Sequence, residues 1–181
     1  MAHSTVKVES KTPTVGIIGD SHIVRVGAEF AALSAELNVE FVLKAQGGRG
    51  INRLPCSLEG LHFDIALVML GGNDLASNAN HTSAEELAEK LVYKLQGIAD
   101  VVVFCSVWGR HDVRLYHRNS FNRRIKQLVD GSQRLLYHRM RRDLNSFISY
   151  DGVHLNQEGE ERLIKCLRQV TRRARRALRQ L

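Results

Sequence analysis

Four short segments of this chain carry side chains with chemistry in them: Gly19-Asp20-Ser21, Gly47-Gly48, Gly71-Gly72-Asn73-Asp74 and Asp151-Gly152-Val153-His154. Ser21 offers a hydroxyl nucleophile, which needs a base. Asp151 and His154 stand three residues apart, so one tight turn puts both on the same side. There the carboxylate can hold the imidazole while the imidazole takes the serine proton. Asn73 brings a side-chain amide donor, and Gly48 a backbone N–H that no side chain shields. With the N–H of Ser21 at a helix start, both suit a developing oxyanion. A nucleophile, an acid–base pair and an oxyanion hole are the parts that ester cleavage requires. Each segment also has a plain structural reading. Ser21 can be a helix cap, Gly47-Gly48 a loop, Gly-Gly-Asn-Asp a hairpin-like turn, and Asp151 to His154 a surface turn leading into a helix. Gly47 is an alternative to Gly48 as the oxyanion glycine.

Something must position these segments, and the hydropathy pattern says what. Apolar runs at 14–18, 39–43 and 64–70 read as buried strands, and each ends in one of the first three segments. Further strands are expected at 101–107 and, more weakly, at 133–138. Between them lie helical patterns: 23–37, with Val26, Phe30, Leu33 and Leu37 on one face, and a helix carrying Leu87, Leu91 and Leu95 behind the start signal Thr82-Ser83-Ala84-Glu85. A basic helix over 113–129 and a long helix from Asn156 onward complete the set. Strands alternating with helices imply an α/β fold with a parallel sheet covered on both faces. Ligands bind such sheets beyond the carboxyl ends of the strands, where Ser21, Gly48 and Asn73 all fall. The loop carrying Asp151 and His154 can close over the same edge.

Composition sets the bounds. With 181 residues, of which 44% are apolar, one domain over 14–181 is expected behind a polar lead-in, 1–13. No stretch approaches the length of a membrane span or a signal peptide. Cys56, Cys105 and Cys166 are too far apart for metal or redox spacing, so free thiols in a reducing, cytoplasmic setting are expected, with no metal and no cofactor. His22, His62, His81, His111, His117 and His138 lack metal-like spacing and read mostly as surface or loop residues. His22, beside the nucleophile, is placed to line the mouth of the site, and Trp108 reads equally well as an acyl-pocket wall or as core. The formal net charge of +7 is uneven. Residues 1–109 are net −4, 110–142 net +8, 143–161 net −5, and 162–181 carry 8 basic and no acidic residues. Two basic blocks on an acidic body point to phosphates of RNA or of an anionic membrane as partners. In the last helix Leu163, Leu167, Val170, Ala174, Leu178 and Leu181 form a stripe. It is expected to pack on the sheet as far as Val170 and to project beyond that as a basic amphipathic arm, or to end as a solvated turn.

The four segments in this order resemble the blocks of the SGNH hydrolases, the GDSL-type esterase and lipase superfamily. Ser21 stands in the first block, although its run is Gly-Asp-Ser-His rather than one ending in Leu. Gly48 stands in the loosest, second block, Asn73 in the third within Gly-Gly-Asn-Asp, and Asp151 with His154 in the last. The resemblance covers roughly 14–170. It implies a flavodoxin-like three-layer α/β/α sandwich, hydrolysis of acyl esters through an acyl-enzyme, and a catalytic trio of Ser21, His154 and Asp151 with an oxyanion hole of Ser21, Gly48 and Asn73. In size and basic character the chain also resembles the esterase domain in first-open-reading-frame proteins of vertebrate LINE retrotransposons, which implies a larger parent protein with self-association and nucleic-acid-binding segments. Two other readings stand beside the esterase: a nucleic-acid- or membrane-binding module whose hydrolase site is vestigial, and a flavodoxin-type nucleotide-binding protein. The latter lacks a phosphate-cradling glycine pattern.

Overall fold

A computed structural model describes residues 11–54, 58–76 and 82–181. Cys56, His81 and most of the lead-in lie outside them. Five strands form one parallel sheet in the order β2-β1-β3-β4-β5: β1 (Thr14–Gly19), β2 (Glu40–Ala45), β3 (Phe63–Met69), β4 (Ala99–Cys105) and β5 (Leu135–His138). The three inner strands are the continuous apolar runs of the sequence, because both of their faces are covered. Residues alternate between two cores. Val15, Ile17, Ile65, Leu67, Val101 and Val103 face one side, and Ile18, Ala66, Val68, Val102 and Phe104 the other.

The first face is covered by α1 (Ser21–Arg25), α2 (Phe30–Leu37) and α6 (Gln157–Leu178), and the second by α4 (Ala84–Leu95) and α5 (Leu115–Val129). A short helix, α3 (Gly72–Ala76), follows β3. The expected α/β sandwich is therefore present, with three local differences. The helix expected over 23–37 is broken: α1 ends at Arg25, and a 3₁₀ turn over Gly27–Glu29 leads into α2. Gly27 is a poor helix former, and the break still lets Ile23, Val26, Phe30, Leu33 and Leu37 reach one core. The capping box before α4 is Ser83 with Glu86, one residue later than Thr82 with Glu85, which share the same spacing. The Gly-Gly-Asn-Asp segment opens α3 and forms no hairpin turn.

The largest correction concerns α6. Its apolar stripe does not leave the sheet at Val170. Thr171 and Ala174 are fully buried, and Ala177 and Leu178 pack against the same core. Three of the arginines beyond are tied down too: Arg172 pairs with Glu36, Arg173 donates to the Tyr137 carbonyl and Arg175 to the Leu37 carbonyl. There is no projecting arm within the helix, because the repeat that buries Leu163 and Leu167 continues in register for two more turns. None of the helices among the described residues is long and apolar enough to cross a membrane.

Candidate active site

The chain turns sharply at the end of β1. Asp20 caps α1, its carboxylate accepting the His22 N–H at 3.0 Å, and this sets Ser21 at the first helical position, beyond the carboxyl edge of the sheet. Opposite it stands a loop shaped by its own backbone. Ile148 and Leu155 form an antiparallel bridge, and the Ser149 N–H donates to the His154 carbonyl at 2.6 Å. Leu155 is buried and anchors the loop in the core. At its tip, Asp151 Oδ1 accepts the N–H groups of Val153 and His154, both at 2.9 Å, while Oδ2 lies 2.7 Å from His154 Nδ1. Gly152 takes φ +73°, a left-handed conformation that glycine adopts without steric cost, and its carbonyl accepts the His111 N–H at 2.8 Å.

The loop thus presents the imidazole to α1, and His154 Nε2 lies 3.1 Å from Ser21 Oγ across 133 residues of sequence. With Nδ1–H donated to Asp151, Nε2 accepts the serine O–H. The bonds that Asp151 accepts from His154, side chain before backbone, hold its carboxyl far below the usual carboxylate range, so it stays ionised beside the ring. Asp151 and His154 remain open to solvent, with 37% and 26% of their side chains exposed.

The other half of the site rests on buried arginines, with Asn73 half-buried and Gly48 exposed. The turn Gln46–Arg49 after β2 is closed by the Arg49 N–H on the Gln46 carbonyl, and Gly48 within it has φ +67°. Gly47 has no such positive angle, so only position 48 calls for glycine on conformational grounds. Arg49 turns inward, donating to the Lys44 carbonyl and to Gln46 Oε1. Its own carbonyl accepts Asn73 Nδ2–H at 3.0 Å, which binds the glycine turn to the start of α3. Asp74 performs the neighbouring tie, accepting the Ile51 N–H at 2.9 Å, and burial raises its pKa.

Sequence reasoning missed Arg110. Placed in a basic block, it reads as surface charge; it is in fact 8% exposed. Its Nη1 donates to Asn73 Oδ1 at 2.9 Å, and Nε and Nη2 fork onto Asp112 at 2.9 and 2.7 Å. This fixes which end of the Asn73 amide is oxygen and which is nitrogen. The one available signal was Asp112 two residues on, a built-in counter-ion. His22 is also corrected: it does not line the mouth but is buried, 3% exposed, with its ring edge-on to Trp108 at 4.7 Å and tilted towards His154 at 5.6 Å. Burial and the nearby Arg110 push its pKa down to about 3, so it is neutral near pH 7. Asp20 beneath it is pushed up by burial. Trp108 packs against the first core and edge-on to His22. Elsewhere, His62 pairs with Asp100 at the surface, while His138 lies half-buried in β5. Cys105 and Cys166 are buried free thiols, that of Cys105 pushed up to about 12 by burial.

No family model and no curated protein matches this sequence. Solved structures do match. The acetylxylan esterase Axe2 of Geobacillus stearothermophilus aligns with a TM-score of 0.62 at 14% identity, over 86% of this chain and 92% of that one. A GDSL-like lipase of Parabacteroides merdae gives 0.66 at 13%, over 87% and 94%. The psychrotrophic esterase EstA of a Pseudoalteromonas species gives 0.63 at 16%, over 88% and 99%. The chain shares the α/β fold of these esterases and lipases.

Proposed function

We propose that the chain is a serine ester hydrolase acting on short or medium acyl esters, and that Ser21, His154 and Asp151 are its catalytic trio. The observation that carries this reading is the line of contacts from Asp151 Oδ2 through His154 to Ser21 Oγ, at 2.7 and 3.1 Å. Ser21 attacks the ester carbonyl while His154 Nε2 takes its proton, and the permanently ionised Asp151 stabilises the resulting imidazolium. The oxyanion is met by the N–H groups of Ser21 and Gly48 and by the Asn73 amide, which Arg110 holds in orientation. Collapse expels the alcohol, which takes the proton from His154, and leaves an acyl group on Ser21. Water, deprotonated by His154, then attacks the acyl-enzyme and releases the acid.

The aligned structures support the chemistry. The Axe2 variants described as catalytic mutants replace a serine and a histidine, and EstA is inhibited by monoethylphosphonate. A phosphonate of that kind should label Ser21 and no other residue, and chelation with EDTA should leave hydrolysis of a chromogenic acetyl or butyryl ester unchanged. Labelling elsewhere, or turnover lost to EDTA and restored by zinc, would overturn the mechanism. The narrower kinship with retrotransposon esterase domains rests on size and basic charge and is compatible with the same chemistry.

A further inference from the structure

Most arginines of this chain that lie near a carboxylate use it. Arg124 forks onto Glu89, Arg162 pairs with Asp143 and Glu158, and Arg168 and Arg172 share Glu36. One region breaks the pattern. A groove of about 620 Å³ runs between α5, β5 and α6, and six cations line it: Arg118, Arg123, Lys126, Arg139, Arg141 and Arg173. Among the described residues, no Asp or Glu lines it. Arg141 is held from outside by Asp143, and Arg173 donates to the Tyr137 carbonyl. Arg123 feels the Glu85 carboxylate without an ion-pair contact. Arg118, Arg123, Lys126 and Arg139 make no ion pair among the described residues, and burial lowers the Arg118 pKa with no carboxylate to offset it. Like charges gathered in a concave site repel one another, and the field they share concentrates anions there.

The groove is linked to the site through shared and touching residues. Ser106, Val107 and Trp108 line both it and the small cavity against Asp20, His22 and Arg110. Trp108 touches the His22 ring, which in turn faces the His154 ring. Guanidinium forks match phosphate oxygens in pairs, and Arg118, Arg123 and Arg139 can supply them without giving up a partner, with Lys126 adding a point charge.

We propose that this groove holds a phosphate group carried by the substrate, so that the preferred substrates are acyl esters of a phosphorylated alcohol. This rests on the ester-hydrolase reading, and the test separates the two. Binding is measured first, calorimetrically, with inorganic pyrophosphate and Ser21→Ala protein, which needs no turnover. Reversing the exposed Lys126 and Arg139 together, K126E with R139E, should weaken binding by about tenfold. Reversing Arg176, exposed and outside the groove, should change it less than about twofold. Turnover is then compared on 1,2-dibutyrylglycerol 3-phosphate and 1,2-dibutyrylglycerol, which differ only in the phosphate. The ratio of their kcat/KM values should favour the phosphate and fall by about tenfold in the groove variant. A further arm uses vesicles of phosphatidic acid: activity on them that is lost in the variant, beside little on the soluble phosphate, assigns the phosphate to a lipid headgroup, and the reverse assigns it to a free ester. Absence of pyrophosphate binding, or equal ratios in wild type and groove variant, overturns the proposal. So does a groove variant that weakens binding to a poly(U) strand while leaving pyrophosphate untouched, which would give the groove to nucleic acid.

Discussion

The site is built in two halves of opposite character. On one side, Asp151 and His154 stand on an exposed loop and owe their geometry to neighbours within a few residues: two N–H groups on one carboxylate, a Gly152 turn and a two-residue bridge. On the other, the half-buried Asn73 is tied to two buried arginines, Arg110 and, through its carbonyl, Arg49, so that three segments distant in sequence meet beside the exposed Gly48 turn. In the proposed mechanism the first half moves protons and the second offers fixed dipoles, whose side-chain member, Asn73, is held by buried arginines. On that reading the amide that meets developing charge is held in place, while the base that shuttles a proton stays near water.

The sharpest way to break this contrast is at the nucleophile. Ser21→Ala should abolish turnover of a butyryl ester, with kcat falling on the order of 10⁶-fold; comparable rates in the two proteins would refute the assignment. Asp151→Asn should cost about 10⁴-fold in kcat, because the amide no longer fixes the tautomer that leaves Nε2 free to accept. In the second half the losses should be smaller and confined to kcat. Asn73→Ala is expected to lower it about 10²–10³-fold with KM little changed; a large KM rise instead would make Asn73 a substrate-binding residue. Arg110→Lys keeps the charge and loses the fork, so kcat should fall roughly 10–100-fold through misplacement of the Asn73 amide. An unchanged rate would show that Asn73 needs no such support.

The smallest effect concerns stability. The folded-state pKa of His22, about 3, lies below the ordinary value of 6.5, so the unfolded chain takes up the proton first and stability falls as pH drops through that window. His22→Phe keeps the ring against Trp108 and removes the titration. Urea unfolding should show wild type losing about 2 kcal/mol more than this variant between pH 6.5 and 4.5. Equal losses would mean that His22 protonates freely in the folded protein.

The halves also differ in how far the sequence disclosed them. Asp151 and His154 were legible because their geometry is local, and Ser21 and Asn73 because apolar strands end beside them. Arg110 was not, since its partner Asn73 lies 37 residues away and its charge was counted with the surface. The end of α6 misled for a related reason. An amphipathic repeat tells which face is apolar but not how far the partner surface extends, and here the sheet and α2 reach as far as Leu178.

That last helix has a consequence for the birth of the protein. Asn156, its cap, follows the catalytic loop directly, and Leu155 plugs into the core that Leu163, Leu167, Val170 and Ala174 complete. A nascent chain that has already emerged through His154 therefore holds every member of the proposed trio and still lacks the buttress that aligns them. The chemistry should stay silent during translation and switch on only when α6 has cleared the ribosome and docked.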